Sequence, residues 1–436
     1  LNATTLNQDL PHFDPQRRAW GILLLSFAAF CTICVISGVA LVYYLFQSTV
    51  PLDALMRVGR GTGAVSGQAV RMEKLLSAGD VLTTDAQSQV SVFFDEGSSH
   101  DHLVTSITLH ASTSLNVRRA LRPRFDWATV AYGIDIQDFE GELDVLVPAD
   151  LGRDFRLTLR TKQGDLIDLS ASGEYSISAS DSQMQIINHS GMASLIPLGA
   201  STGRLIPAGK AGQLVFGSPE QGVVVTDSPV DLLGDVGFAN VSNTLAPESD
   251  SAASWACQNT QSEPQGQFLA KTKDGRVALR LVRGDSATTN AETRCLRYFG
   301  QDGIDVSAYD QLELRVSFEI VYQSLSVCGV EASECPLMLR LDYADEYGAR
   351  RIWFHGFYYN VQSELAYPFQ CNSCAQEHEI VNEKAWYTYE SGNLFSLIPP
   401  DKRPKSIINV QFYASGHQYD VYIGEIAMLA RGASLQ

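Results

Sequence analysis

Cysteine is the residue type whose spacing in this chain admits the most chemistry. Two cysteines, Cys31 and Cys34, lie in an apolar run, and the other six are Cys257, Cys295, Cys328, Cys335, Cys371 and Cys374. Four thiolates from Cys328-x6-Cys335 and Cys371-Asn-Ser-Cys374 could hold zinc, but structural zinc sites pair short C-x2–4-C knuckles and the six-residue gap is too wide. A redox C-x-x-C needs a βαβ setting, which the surrounding pattern lacks. Pairing as disulfides is the more economical reading: Cys328–Cys335 and Cys371–Cys374 locally, with Cys257–Cys295 as a longer staple, in an oxidising compartment. No metal and no cofactor are expected.

The second chemical feature is a cluster of rings. Trp353, Phe354, His355, Phe357, Tyr358 and Tyr359 are followed by Trp386, Tyr387 and Tyr389. Aromatic faces stack on sugar rings, and Tyr and Trp join an apolar body to a polar tip. Trp353, His355, Tyr358, Trp386 and Tyr389 are the candidate ligand-contacting set. Alternation in a strand turns about half of such a run into packing, and His355, like His417, also reads as a hydrogen-bonded structural histidine. Catalytic patterns are missing: the sequence holds no G-x-S-x-G, H-E-x-x-H, P-loop or dinucleotide fingerprint. Gly284-Asp285-Ser286 is a bare tripeptide, and Asp342, Asp345 and Glu346 lack the spaced oxygen ligands of a calcium loop. The chain reads as a non-enzyme.

These residues must be carried by something, and the chain opens with an anchor. The uncharged run 20–46 is long enough as a helix, at ~1.5 Å per residue, to cross ~30 Å of hydrocarbon. Trp20 at one end and Tyr43 and Tyr44 at the other are interfacial anchors. A cleavable signal would have an apolar region of ~7–15 residues and a small-residue cut site, and residues 47–52 offer no A-x-A pattern. Residues 19–46 are therefore expected to be an uncleaved transmembrane helix, after a cytoplasmic tail 1–18 too short to fold. Arg17 and Arg18 before the helix nearly tie with Arg57 and Arg60 after it. Asp53 and the six late cysteines tip the orientation: N-terminus cytoplasmic, body extracytoplasmic. The chain starts at Leu1, so a cytoplasmic domain could precede it. The net charge of −17 belongs to the exported part and argues against a nucleic-acid partner. The basic cluster Arg118, Arg119, Arg122 and Arg124 could touch an anionic wall polymer or form a solvated loop.

Beyond a juxtamembrane linker, 47–57, short alternating strands recur, such as SQVSVFF, TSITLHAS, FRLTLRT and EYSISAS, which predicts a mainly β fold of sandwich or roll type. Pro, Ser and acidic residues in SPEQ, TDSP and LAPESDSAAS divide this part, and 217–237 is expected to be a linker between domains 58–216 and 238–432, with a tail at 433–436.

In the first domain, residues 63–98 place Gly79, Asp80, Leu82, Thr84, Ser88, Val90, Val92, Phe94 and Asp95 in the order of the FecR family of bacterial membrane-anchored regulators, and residues 157–198 and 204–214 match its later pieces. The chain resembles that family over 58–216. The resemblance implies a β-roll or sandwich. Gly79-Asp80 and Gly164-Asp165 are read as turn formers and Val90, Val92 and Phe94 as one core face. FecR proteins bind a sigma factor through a cytoplasmic domain, which eighteen residues cannot supply. The second domain resembles a carbohydrate-binding-module or galactose-binding jelly roll, through Trp255, DGRVALRLVR, DVSAYDQLELRVSFEIV, WYTYES and YDVYIGEIAMLA. The expected function is a single-pass envelope protein binding an envelope glycan or protein partner; the alternative is a FecR-type anti-sigma sensor, if an N-terminal cytoplasmic domain belongs to it.

Overall fold

The computed structural model describes residues 15–97, 102–217, 222–234, 238, 241, 255–284, 286–361 and 376–432. The chain is mainly β, with one N-terminal apolar helix and two β-rich bodies, the second of which also carries the short helix Leu394–Leu397. The helix Pro15–Phe46 starts with Pro, whose missing N–H is no loss in a first turn. Most of its side chains project outward: Leu25 and Ile22 are among many exposed apolar residues. It is long and apolar enough to cross a membrane by length and composition.

The first body is a roll of strands between Thr49 and Asp227 that closes on itself. Its organiser is the long strand Tyr132–Val147. The early half pairs in parallel with Phe155–Thr161 and antiparallel with Ser114–Pro123; the later half pairs with Gly173–Ala179 and Leu103–Leu109. Between the halves the register slips, and Asp138 (φ +54°) and Gly141 (φ +109°) turn the strand from one sheet into the other. The roll is filled by alternate residues: Val90, Val92 and Phe94 are buried on one face of Gln89–Asp95, together with Ile107, Leu143, Val145 and Ile177. Gly79 does sit in a left-handed turn (φ +91°), and Asp80 accepts the Ser77 N–H at 2.8 Å. Gly164 is likewise left-handed at +99°.

The second body is a sandwich. A six-stranded sheet runs Gln267–Lys273, Arg276–Arg283, Tyr419–Gly432, Tyr309–Gln323, Trp386–Glu390, with Val230–Asp231 added beside Tyr419–Gly432. A seven-stranded sheet runs Ala256–Asn259, Ala291–Tyr298, Pro404–Gly416, Leu337–Asp345, Arg350–Tyr358, Glu379–Ile380, with Ile304–Asp305 added beside Pro404–Gly416. Leu314, Val316, Phe318, Leu339, Leu341, Phe357, Phe412 and Ile423 fill the space between them. The turn at Tyr347-Gly348 joins two of these strands, with Asp345 accepting the N–H groups of Tyr347 (3.0 Å) and Ala349 (2.9 Å). Cys257–Cys295 and Cys328–Cys335 are disulfides, as expected; Cys371–Cys374 lies outside the described residues. The stretch 217–237, read as a linker, carries two short strands: Val224–Asp227 pairs with Lys210–Val215 of the roll and Val230–Asp231 joins the sandwich.

Gly79 and Gly141 separate strain from crowding. A Cβ on Gly79 meets no atom within 4 Å, whereas one on Gly141 collides with Cα and Oγ1 of Thr113. Gly79→Ala should cost about 1 kcal/mol from backbone strain alone, and Gly141→Ala clearly more, since Thr113 backbone must move. Denaturant midpoints check the order; equal losses would mean that the corner at Gly141 can relax.

Candidate functional site

In an antiparallel sheet with one face in a core, the alternate residues usually face water. Here they do not. On the roll, Gln89, Ser91, Phe93, Ser106, Thr108 and His110 are all buried, although they alternate with the core residues of their strands. Register lines up Ser91, Thr108, Asp144 and Ser176 across four neighbouring strands. On the sandwich, Arg315, Ser317 and Glu319 occupy the outer face of Tyr309–Gln323, opposite Glu390, Thr388 and Trp386. These two outer faces lie against each other, and side chains bond across the seam.

Arg315 is the centre of the seam. Its guanidinium donates to the Asp144 carboxylate and to Ser176 Oγ (3.2 Å) on the roll. His110 Nε2 is 2.6 Å from the same Asp144 carboxylate, and Ser176 also reaches His189 Nε2 at 3.0 Å. Burial opposes charge on His110, but the Asp144 carboxylate outweighs it and holds the ring at about 9. Burial likewise works against the Asp144 carboxylate, and Arg315 and His110 together hold it well below the usual range. A second set of bonds covers the free edge of Trp386–Glu390: the Gln89 side-chain amide takes the Thr388 N–H (2.7 Å) and gives to the Thr388 carbonyl (2.9 Å). Asn382 donates to the Val58 carbonyl (2.8 Å), and Arg60 reaches Glu379 (2.7 Å). Arg276 crosses from the sandwich to Ser106 at 3.4 Å while bonding Ser317 at 2.7 Å. At one margin the seam opens into a cleft of about 340 Å³ lined by Glu142, His189, Glu313, Arg315 and Glu390. Burial and repulsion from Glu390 push the Glu313 carboxyl up to about 6.

The five candidate ligand-contacting residues fall within packing. Trp353 and His355 are buried between the sheets, and Tyr389 stacks on His355 with centroids 4.8 Å apart. Tyr358 packs against the Cys328–Cys335 disulfide and Met338. Trp386 is in the seam against Phe93 and Ala278, with Arg276 over its ring at 4.8 Å and its Nε1–H on Asp274 at 2.8 Å. With exposures between 0% and 7%, none of these rings offers a free face to a sugar. His378 lies beside Cys328 and Cys335, but those sulfurs are bonded to each other, and Nδ1 of His378 accepts the Gly356 N–H at 2.9 Å.

The outward face of the seven-stranded sheet holds the arrangement that alternation in one strand could not reveal. Register places Arg340 between Phe354 and Gln411, Asp342 between Ile352 and Asn409, and Met338 beside Tyr413. Asp342 accepts from Arg340 Nε (2.8 Å), Asn409 Nδ2 (2.9 Å) and Gln411 Nε2 (3.2 Å), and Gln411 also bonds Asn409 at 2.8 Å. The result is a fixed row of planar polar groups. Phe354 and Tyr413 flank it and rest on the cluster containing the Cys328–Cys335 disulfide. Burial and the nearby Glu292 carboxylate push the Tyr413 hydroxyl up to about 12, so it stays neutral and can both donate and accept. The signal in the sequence was the polar alternation in RLDYAD and NVQFY, which lie some seventy residues apart.

No protein-family model matches the chain, and no curated protein matches it. Among solved structures, it is similar to a putative anti-sigma factor from Parabacteroides distasonis at 15% identity and TM-score 0.24, over 34% of this chain and 59% of that one. The family 11 carbohydrate-binding module of a cellulosomal cellulase of Clostridium thermocellum aligns at 11% identity and TM-score 0.23, over 42% of this chain and 91% of that one. TmCBM61, solved in complex with β-1,4-galactotriose, aligns at 10% identity and TM-score 0.24, over 46% of this chain and 99% of that one.

The seam should titrate. Folding raises His110 above its ordinary 6.5, so its contribution is complete below about pH 6.5 and is lost as pH rises through about 9. That loss is on the order of 3 kcal/mol. Asp144 is lowered, so its contribution persists at these pH values and disappears only in strong acid. Thermal midpoints should therefore fall between pH 6.5 and 9, and His110→Gln should flatten that fall; a slope unchanged in the variant would remove His110 from the account.

Proposed function

We propose that this chain is a non-enzymatic, single-pass envelope protein whose two β bodies act as one rigid unit outside the membrane, and that the outer face of its seven-stranded sheet binds a glycan. The observation that carries the ligand is the row Arg340, Asp342, Asn409 and Gln411 flanked by Tyr413 and Phe354. Vicinal sugar hydroxyls are paired donors and acceptors a short distance apart. Planar amide, carboxylate and guanidinium groups meet such pairs two bonds at a time, and ring edges cover the apolar C–H faces between them. The row's mutual hydrogen bonds fix its rotamers before a ligand arrives, which lowers the ordering cost of binding.

The apolar helix supports the anchor, and the two disulfides support an oxidising compartment beyond it. The cysteine asymmetry and Asp53 favour an N-terminus in the cytoplasm, and the FecR resemblance over 58–216 favours a bacterial envelope as the setting. Tethering many copies to one surface would convert a modest single-site affinity into strong attachment to a repeating polymer.

A glycan array probed with the full chain in nanodiscs tests the ligand. Binding of a polysaccharide is expected, and Arg340→Ala with Tyr413→Phe, which keeps the packed ring, should weaken it at least tenfold, about 1.4 kcal/mol, with the melting temperature little changed. A wild-type chain that binds no glycan, or a double variant that binds as before, would contradict the assignment of this face.

A further inference from the structure

The apolar helix and the roll meet with almost no slack. After Phe46 only Gln47 and Ser48 intervene before the strand Thr49–Pro51, which pairs antiparallel with the end of Ser114–Pro123 in the register Thr49↔Pro123. The Arg124 N–H then bonds the Ser48 carbonyl at 3.0 Å. The chain that leaves the helix and the chain that returns after Pro123 therefore lie at one level, beside Tyr43 and Tyr44.

What returns to that level is aromatic. Phe125 meets the Tyr44 ring edge-on with centroids 5.7 Å apart, and the Arg124 guanidinium stands 5.3 Å over the same ring. Trp127 stacks on Phe125 at 4.7 Å and 11°. Trp127 is 61% exposed, while Trp255, Trp353 and Trp386 are all buried. The loop is held in shape from behind. Arg153 donates to the carbonyls of Asp126 (3.1 Å), Ala128 (3.0 Å) and Val130 (3.3 Å), with its own guanidinium over Tyr132. The Ala128 N–H closes the turn onto the Phe125 carbonyl at 3.0 Å. An indole left exposed on a rigid loop forgoes the free energy that removing its apolar body from water would give. At the boundary between headgroups and acyl chains the same indole is favoured, since its ring enters the apolar layer and its N–H stays wet.

We propose that residues 124–130 form a membrane foot: Trp127 and Phe125 seat in the interfacial layer of the phospholipid bilayer, with Arg124 at the level of the phosphates. The proposal rests on the reading that the helix spans that bilayer. Helix and foot together make two points of attachment on one side of the roll, so the body is held at a set tilt and does not swivel on a single stalk.

The test uses the full chain carrying Trp20→Phe, reconstituted in phosphatidylcholine vesicles with and without bromine on the acyl chains. Carbonate-resistant flotation first reports whether the helix is inserted. Brominated lipid should then quench a component of the tryptophan emission, and that component should vanish in Trp20→Phe/Trp127→Phe. Emission from Trp127 that ignores brominated lipid but is quenched by aqueous acrylamide, in protein that floats, overturns the foot alone. Protein that does not float overturns the spanning reading and the foot with it.

Discussion

The buried ion pair between Asp144 of the roll and Arg315 of the sandwich is the interaction on which the rest of the arrangement depends. Each charge lies in a face that would otherwise need water. Separating the bodies without water reaching both groups would leave two uncompensated charges, and removing either partner leaves one, which typically costs 3–5 kcal/mol. His110 and Ser176 complete the bonding of Asp144, so the carboxylate is fully occupied in the docked form. A polar seam of this kind adds little net stability compared with an apolar one, but it specifies a single docking geometry.

That rigidity bears on each working surface. The seam covers the outer face of the six-stranded sheet around Arg315, Ser317 and Thr388, while the outer face of the seven-stranded sheet carries no part of it. The seam also covers the edge strand Trp386–Glu390, through the Gln89 amide and Gly59, where an added Cβ would collide with the Trp386 carbonyl. An edge that is occupied cannot recruit a strand from another chain. With the roll fixed to the helix by the Thr49–Pro51 pairing, the tilt of the roll sets the direction in which the polar row of the sandwich faces.

The helix, the β class and the disulfides Cys257–Cys295 and Cys328–Cys335 were legible because each is a local signal or a count. The core face Val90, Val92 and Phe94 was legible by alternation. The other face of the same strand was not: Ser91 and Gln89 look like solvent residues, and only Phe93 among them hints at a cover. In the sandwich, Arg315, Ser317 and Glu319 read as a wet face for the same reason. The aromatic cluster misled, because ring density marks packing as readily as stacking sites, and Trp353, His355 and Tyr389 fill the space between sheets. The row Arg340, Asp342, Asn409 and Gln411 is made by pairing of two strands distant in sequence, information that the sequence alone does not carry in any window.

Differential scanning calorimetry of the wild type and Arg315→Met tests the rigid-body claim most directly. One cooperative transition is expected in the wild type, with equal calorimetric and van't Hoff enthalpies for the two β bodies, and two separate transitions in the variant. Two transitions already present in the wild type and unmoved by Arg315→Met would contradict it.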